Sequence, residues 1–132
     1  MKSLTHLLFF LIVFLAFHPL GEAQGSKWKS LMDRAQVLYQ EGRYTEGIRV
    51  AQEALSVAEQ TFGDEHDVVA TTLNNLAGFY HSQGRFAEAE PLLNRALEIL
   101  WKAGKNDSEV AISLGNLANL YHSQGKYAEA ES

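Results

Sequence analysis

Two histidines and two asparagines recur at one spacing. His81 and His122 lie 41 residues apart, and so do Asn75 and Asn116. A metal site would need both imidazoles to converge with a third ligand. Stacked helical units sit roughly 10 Å apart, so the pair is expected at a surface or against a bound peptide instead. A carboxamide both donates and accepts hydrogen bonds, so a row of them can hold an extended backbone in either polarity. The competing use is for each Asn to bond a neighbouring helix end. His66, with Asp64, Glu65 and Asp67 around it, reads as a polar cap and linker rather than a calcium or zinc site. No Gly-x-Ser-x-Gly, His-Glu-x-x-His, Walker A or Gly-x-Gly-x-x-Gly pattern is present. The chain has no cysteine, which removes disulfides, thiolate metal sites and catalytic thiols. Glu88, Glu90, Glu129 and Glu131 read as solvated helix faces near helix starts. No enzyme activity, metal or cofactor is expected.

The elements that carry these residues repeat too. Leu73–Glu90 (LNNLAGFYHSQGRFAEAE) returns as Leu114–Glu131 (LGNLANLYHSQGKYAEAE), with 13 of 18 positions identical. Such a period means stacked small units rather than one globular core. Ala70, Leu73, Leu76, Ala77 and Tyr80 form one helical stripe; Phe86, Ala89, Leu93, Ala96, Leu97 and Leu100 form another. Ser82–Arg85 interrupts them, and Gly84 suits a helix stop because it tolerates positive φ. Helices joined by so short a turn pack antiparallel. The second is expected to begin near Ala87 or Glu88, leaving Pro91 near its first turn, with a slight bend as the alternative. Gly63 and Gly104 are phased stops, each followed by a Val-Ala helix start, with Asp67 and Ser108 as expected N-caps. A weaker first copy runs through Trp28, Leu31, Ala35, Leu38, Gly42, Tyr44, Ala51 and Ala54.

The chain has 132 residues, 46% hydrophobic and 20% charged, with a net charge of −5. That composition suits one modest folded domain and is a poor electrostatic match for nucleic acid. At the N-terminus, Lys2 precedes the unbroken apolar run Leu7–Phe17, and Gly21–Glu22–Ala23 comes after it. This is the layout of a secretory signal over residues 1–23, cleaved after Ala23 or, second choice, Gly25. The run falls short of the roughly 20 residues a transmembrane helix needs. The chain is therefore expected to be exported, secreted or periplasmic, with an uncleaved membrane anchor as the alternative. Asn106–Asp107–Ser108 is an acceptor sequon in a linker, or a chance occurrence.

Leu73, Ala77, Tyr80, Gly84, Phe86, Ala89, Leu93 and Ala96 match, in order, the motif of the tetratricopeptide repeat (TPR) family, which the chain resembles. Leu114, Ala118, Tyr121, Gly125, Tyr127 and Ala130 match again. The 41–42-residue period, the Asn-Leu-Ala phrase and the Tyr-Ala-Glu-Ala-Glu turn are similar to the kinesin-light-chain subtype. That subtype usually has His-Pro in its linker, where here His66 precedes Asp67. A leader peptide separates this chain from a cytosolic motor adaptor, so the likeness concerns the repeat subtype. It implies an all-α fold, a right-handed superhelical solenoid of antiparallel helix pairs, incomplete at the C-terminus. The units are 28–61 (divergent), 70–103 and 111–132 (truncated).

The resemblance also implies a noncatalytic scaffold that binds a peptide or protein on its concave face, with no nucleic acid and no small-molecule cofactor. Carrying the family's groove positions over names Lys29, Met32, Asp33, Gln36 and Tyr39 in the first unit. Thr71, Asn74, Asn75, Gly78 and His81 come from the second, and Ile112, Gly115, Asn116, Asn119 and His122 from the third. Asp33 breaks the asparagine ladder. Lys29 is the lone cation, so a neutral, polar, partly aromatic groove suits an extended internal segment better than a free carboxylate. Leu114, Leu117, Tyr121 and Tyr127 are expected to lack an outer cover. Self-association through that third unit is the structural alternative.

Overall fold

The computed structural model describes residues 23–105 and 108–131, with side chains described as far as Lys126. Apart from Ala23, the expected leader lies outside the described residues, as do Asn106 and Asp107 of the sequon. Among the described residues five helices succeed one another: α1 (residues 23–40), α2 (Tyr44–Phe62), α3 (Asp67–Ser82), α4 (Phe86–Lys102) and α5 (Ser108–Glu131). No strand occurs among them. α1 turns back at Gly42 and shares an apolar cluster with α2, and α3 pairs with α4 across the Gly84 turn; α3 packs on α2, and α5 packs on α4 beside α3. The fold is thus the expected all-α stack of helix pairs. None of the described helices is long and apolar enough to cross a membrane.

The reversals share one piece of backbone chemistry. Gly42, Gly84 and Gly104 have φ of 74°, 73° and 71°, the left-handed region that suits glycine. After each, the next residue's N–H returns to a carbonyl of the ending helix: Arg43 to Leu38 (2.9 Å), Arg85 to Tyr80 (2.8 Å) and Lys105 to Leu100 (2.9 Å). The glycine N–H itself bonds Tyr39, His81 or Trp101 at 2.9–3.1 Å. These paired bonds satisfy carbonyls that a helix end otherwise leaves open.

Several local expectations change. Gly125 matches Gly84 in sequence, yet α5 runs through it without a turn. Reversal is worthwhile only if the next helix buries something in return. The 17 residues of α4 do so after Gly84, and no returning helix is described after Gly125. Asp67 is not an N-cap. His66 takes that position: its Nδ1 accepts from the Val68 N–H at 3.1 Å, and its ring stacks on Phe62. Asp67 is instead paired with Lys105 across the linkers, at 3.0 Å. Ser108 likewise lies inside α5 rather than before it. Finally, α4 starts at Phe86, which sets Pro91 beyond its first turn. Pro91 and Ala87 are both exposed, so water can serve the Ala87 carbonyl that Pro91 leaves without a partner.

Two apolar clusters lie at opposite ends of the helices. One joins Ala35, Leu38, Ile48, Ala51, Leu76, Phe79, Tyr80, Ala89 and Leu120 near the glycine turns. The other joins Ala58, Val69, Leu73, Ala96, Leu97, Leu100 and Val110 near the linkers. In the first, Phe79 is 2% exposed and lies against Gly47 of α2; a Cβ on Gly47 would stand 2.1 Å from the ring. One unit later the same two positions are Ala89 and Leu120, both fully buried in that cluster. The smaller ring-free side chain accompanies the larger floor, so summed volume is held nearly constant.

Gly47→Ala should therefore destabilise the fold. Overpacking costs about 1–3 kcal/mol, while the helix gains about 1 kcal/mol from replacing glycine. A urea melt should show a net loss on the order of 1 kcal/mol. Adding Phe79→Leu should recover most of it. An alanine variant as stable as the parent would contradict this account of the contact.

Candidate functional site

The first helix of each pair faces the same side of the stack, so α1, α3 and α5 together form its inner surface. Polar rungs tie them. The Trp28 indole N–H donates to Thr72 Oγ1 at 2.9 Å, and Asn74 Nδ2 donates to Ser113 Oγ at 2.8 Å. Thr72 and Ser113 are fully buried and one repeat apart. Nearer the glycine turns, Tyr39 Oη meets Ser82 Oγ at 3.0 Å, and His81 Nε2 meets Ser123 Oγ at 2.9 Å. Tyr39 and His81 hold equivalent positions, as do Ser82 and Ser123. The hydroxyls are the part that sequence reading missed. Their recurrence at the repeat period, Thr72/Ser113 and Ser82/Ser123, was the available signal.

Three clefts lie between these rungs among the described residues. The first, of about 240 Å³, is lined by Ala35, Gln36, Tyr39, Asn74, Asn75, Gly78, Phe79 and Asn116. The second, about 260 Å³, shares Tyr39, Gly78 and Asn116 with it and adds Ala77, His81, Leu93, Asn119 and Leu120. The third, about 210 Å³, lies between the starts of α3 and α5, among Ala70, Thr71, Asn74, Asn75, Leu100, Glu109 and Ile112. Shared walls make them one interrupted groove. A Cβ on Gly78 would touch nothing within 4 Å, so this glycine leaves the floor open between the first two clefts. Tyr39 forms a braced wall, its ring edge-on to Phe79 at 5.4 Å and tilted on Tyr44 at 5.5 Å.

The groove positions named from sequence divide into three groups. Gln36, Tyr39, Thr71, Asn75, Gly78, Ile112, Asn116 and Asn119 line the clefts. Asn74 and His81 line them as well, and with Tyr39 they are held by hydroxyls, those of Ser113, Ser123 and Ser82 in turn. Lys29, Met32, Asp33, Gly115 and His122 line none of the three. Among the described residues the Asn75 and Asn116 amides have no hydrogen-bond partner, so neither is spent on a neighbouring helix end.

Apart from Glu109 in the third cleft, charge stays outside the described cleft linings. Arg85 grips Glu88 with two bonds of 2.7 Å and lies 4.7 Å over the Tyr80 ring. The bond to Glu88 raises the guanidinium pKa above its ordinary value. The Tyr121 phenol donates to Glu90 at 2.9 Å, and that bond holds it above the usual phenol range.

The Tetratricopeptide repeat profile matches residues 29–102 and again 68–132. The chain belongs to the tetratricopeptide repeat family. Among solved structures, BtubC (BKLC) from P. vanneervenii is 31% identical, with a TM-score of 0.63 over 68% of this chain and 36% of that one. A chain from Podosopora anserina, named for kinesin light chain and its nearly identical TPR-like repeats, is 24% identical, with a TM-score of 0.68 over 80% of this chain and 50% of that one. A single-residue variant of that chain gives 0.67. This chain thus spans half or less of the length of these relatives. A comparison with curated proteins returns no match. In fold the array is like these kinesin-light-chain-named repeats, and TPR folds generally serve as noncatalytic modules for protein interaction.

The rungs of this TPR array can be tested singly. Thr72→Val keeps the shape but strands the Trp28 N–H, and an unpaired buried donor costs about 1–3 kcal/mol. Denaturant melts should show a loss in that range with a shifted Trp emission. An unchanged midpoint would mean that water replaces the hydroxyl.

Proposed function

We propose that the chain is an exported, noncatalytic binding module that holds an extended internal segment of a partner protein along α1, α3 and α5. The observation that carries this reading is the pair of unspent amides. Asn75 and Asn116 sit one repeat apart, both line the first cleft, and neither bonds another described residue. Gln36 adds a third amide, and Tyr39 an aromatic wall. Polar groups left open beside an apolar floor suit main-chain recognition, with Gly78 giving a backbone room to approach. The described lining of the groove presents no Lys or Arg, which favours an internal segment over a terminal carboxylate. The leader-like residues 1–23 support export, which N-terminal sequencing of the exported protein tests: Gln24 or Ser26 is the expected first residue.

Peptides selected from a random library should bind the parent chain. Changing both Asn75 and Asn116 to Ala should weaken them at least about ten-fold, equivalent to roughly 1.4 kcal/mol, with helicity by circular dichroism unchanged. Undiminished affinity would place the binding surface elsewhere.

One observation favours a second reading, self-association. Leu114 and Tyr121 are 45% and 49% exposed, whereas their counterparts Leu73 and Tyr80 are 0% and 7% exposed beneath α4. Under this reading the open face of α5 docks on another copy. Sedimentation over a concentration series separates the two. Mass-action growth abolished by Leu114→Glu supports association, and a strict monomer excludes it.

A further inference from the structure

The third cleft contains an electrostatic anomaly. Asn74 Oδ1 and Glu109 Oε2 are both shut from solvent, and neither has a hydrogen-bond partner. They are the two such side-chain atoms among the described residues, and their residues line the same cavity. Asn74 Nδ2 donates to Ser113 Oγ, and its Oδ1 is left without a donor. Glu109 has no ion-pair partner among the described residues, while Lys102 and Lys105 are engaged by Glu98, Glu65 and Asp67. An acceptor stripped of water without a donor costs about 1–3 kcal/mol, more when charged. Placement in the first turn of α5 eases the charge of Glu109 through the helix dipole but supplies no donor to Oε2.

We propose that this cleft seats the ε-ammonium of a lysine from the bound partner segment. An ammonium is a compact charge with three donors on a flexible stem, the kind of group that unpartnered acceptors on two sides of one cleft call for. The remaining lining includes Ala70, Leu100 and Ile112, apolar side chains that fit the methylene stem. Arginine suits the place less well, because its flat fork matches two oxygens of one carboxylate rather than single oxygens on two helices. A cavity of about 210 Å³ holds one side chain; whole small-molecule ligands take roughly 300–1,000 Å³. Glu109 is half-buried as a residue and already lines the cleft. The chain's net charge of −5 also favours a basic partner segment.

The inference deepens the groove reading and rests on it for the source of the lysine, but the seat itself can be tested without any peptide. The ¹⁵N-labelled full chain is titrated with Nα-acetyl-lysine methylamide and, separately, with its Nε-acetylated form. The charged probe should give saturable shifts at the Asn74 side-chain amide and the Glu109 and Ile112 backbone amides, with Kd on the order of 1–10 mM. The neutral probe should bind at least about ten-fold more weakly, a difference of roughly 1.4 kcal/mol. Glu109→Gln keeps the shape and should erase that preference with helicity intact. Equal responses, no response, or a preference that survives Glu109→Gln would overturn the proposal and leave water as the donor. In a second arm, library-selected peptides should lose about ten-fold in affinity when one lysine becomes norleucine, and Glu109→Gln should remove that difference. If no peptide binds while the charged probe still does, the groove reading fails and the lysine seat stands.

Discussion

Burial of the α3 stripe beneath α4 is the contact on which the rest of the array depends. Leu73, Ala77 and Tyr80 vanish under Ala89, Leu93, Ala96, Leu97 and Leu100, all nearly inaccessible to solvent. No single helix here could hold its shape by propensity alone, since short helices in water are marginal. Pairing supplies the missing free energy, and stacking of pairs extends it. α3 therefore serves twice, packing on α2 with one face and on α4 with another. The left-handed glycines make this geometry accessible without driving it.

The inner surface is a consequence of that arrangement. Because every first helix faces the same way, side chains one repeat apart come into line on neighbouring helices. Some of them bond across: Tyr39 with Ser82, His81 with Ser123, Trp28 with Thr72. These bonds bridge neighbouring first helices beside the clefts. Others on the same face, Asn75 and Asn116, are left over with capacity to bond. Two kinds of residue thus share one surface, and the periodic sequence does not distinguish them. Asn74 and Asn75 are adjacent and chemically identical, yet the first is committed to Ser113 and the second to nothing described.

Much of the fold was legible because it rests on local, repeated signals. Apolar stripes at helical spacing, glycine stops and a 41-residue echo each report on a few neighbouring residues. Many of the named groove positions line clefts, because residues at one helical register recur on the same face of successive helices. The parts that stayed hidden depend on partners distant in sequence or on the folded backbone. His66 reads as a polar linker residue until its ring is seen stacked on Phe62 with Nδ1 over the α3 start. Asp67 reads as a cap until Lys105 claims it. Glu109 reads as an ordinary acidic residue at a helix start, and only its position beside Asn74 makes it unusual.

One pentapeptide separates what sequence determined from what tertiary structure decided. Tyr80–His81–Ser82–Gln83–Gly84 and Tyr121–His122–Ser123–Gln124–Gly125 are identical. The sequence determined that each could leave the helix, because glycine has access to positive φ. In the first copy it does, with Gly84 at φ 73°, while the second remains inside α5. The backbone preference is the same in both places and amounts to about 1 kcal/mol against glycine in a helix. The difference lies beyond each glycine: α4 returns an apolar face to α3, and no helix returns to α5 among the described residues. Local chemistry supplied the option to turn, and the burial available on the far side decided whether it was used.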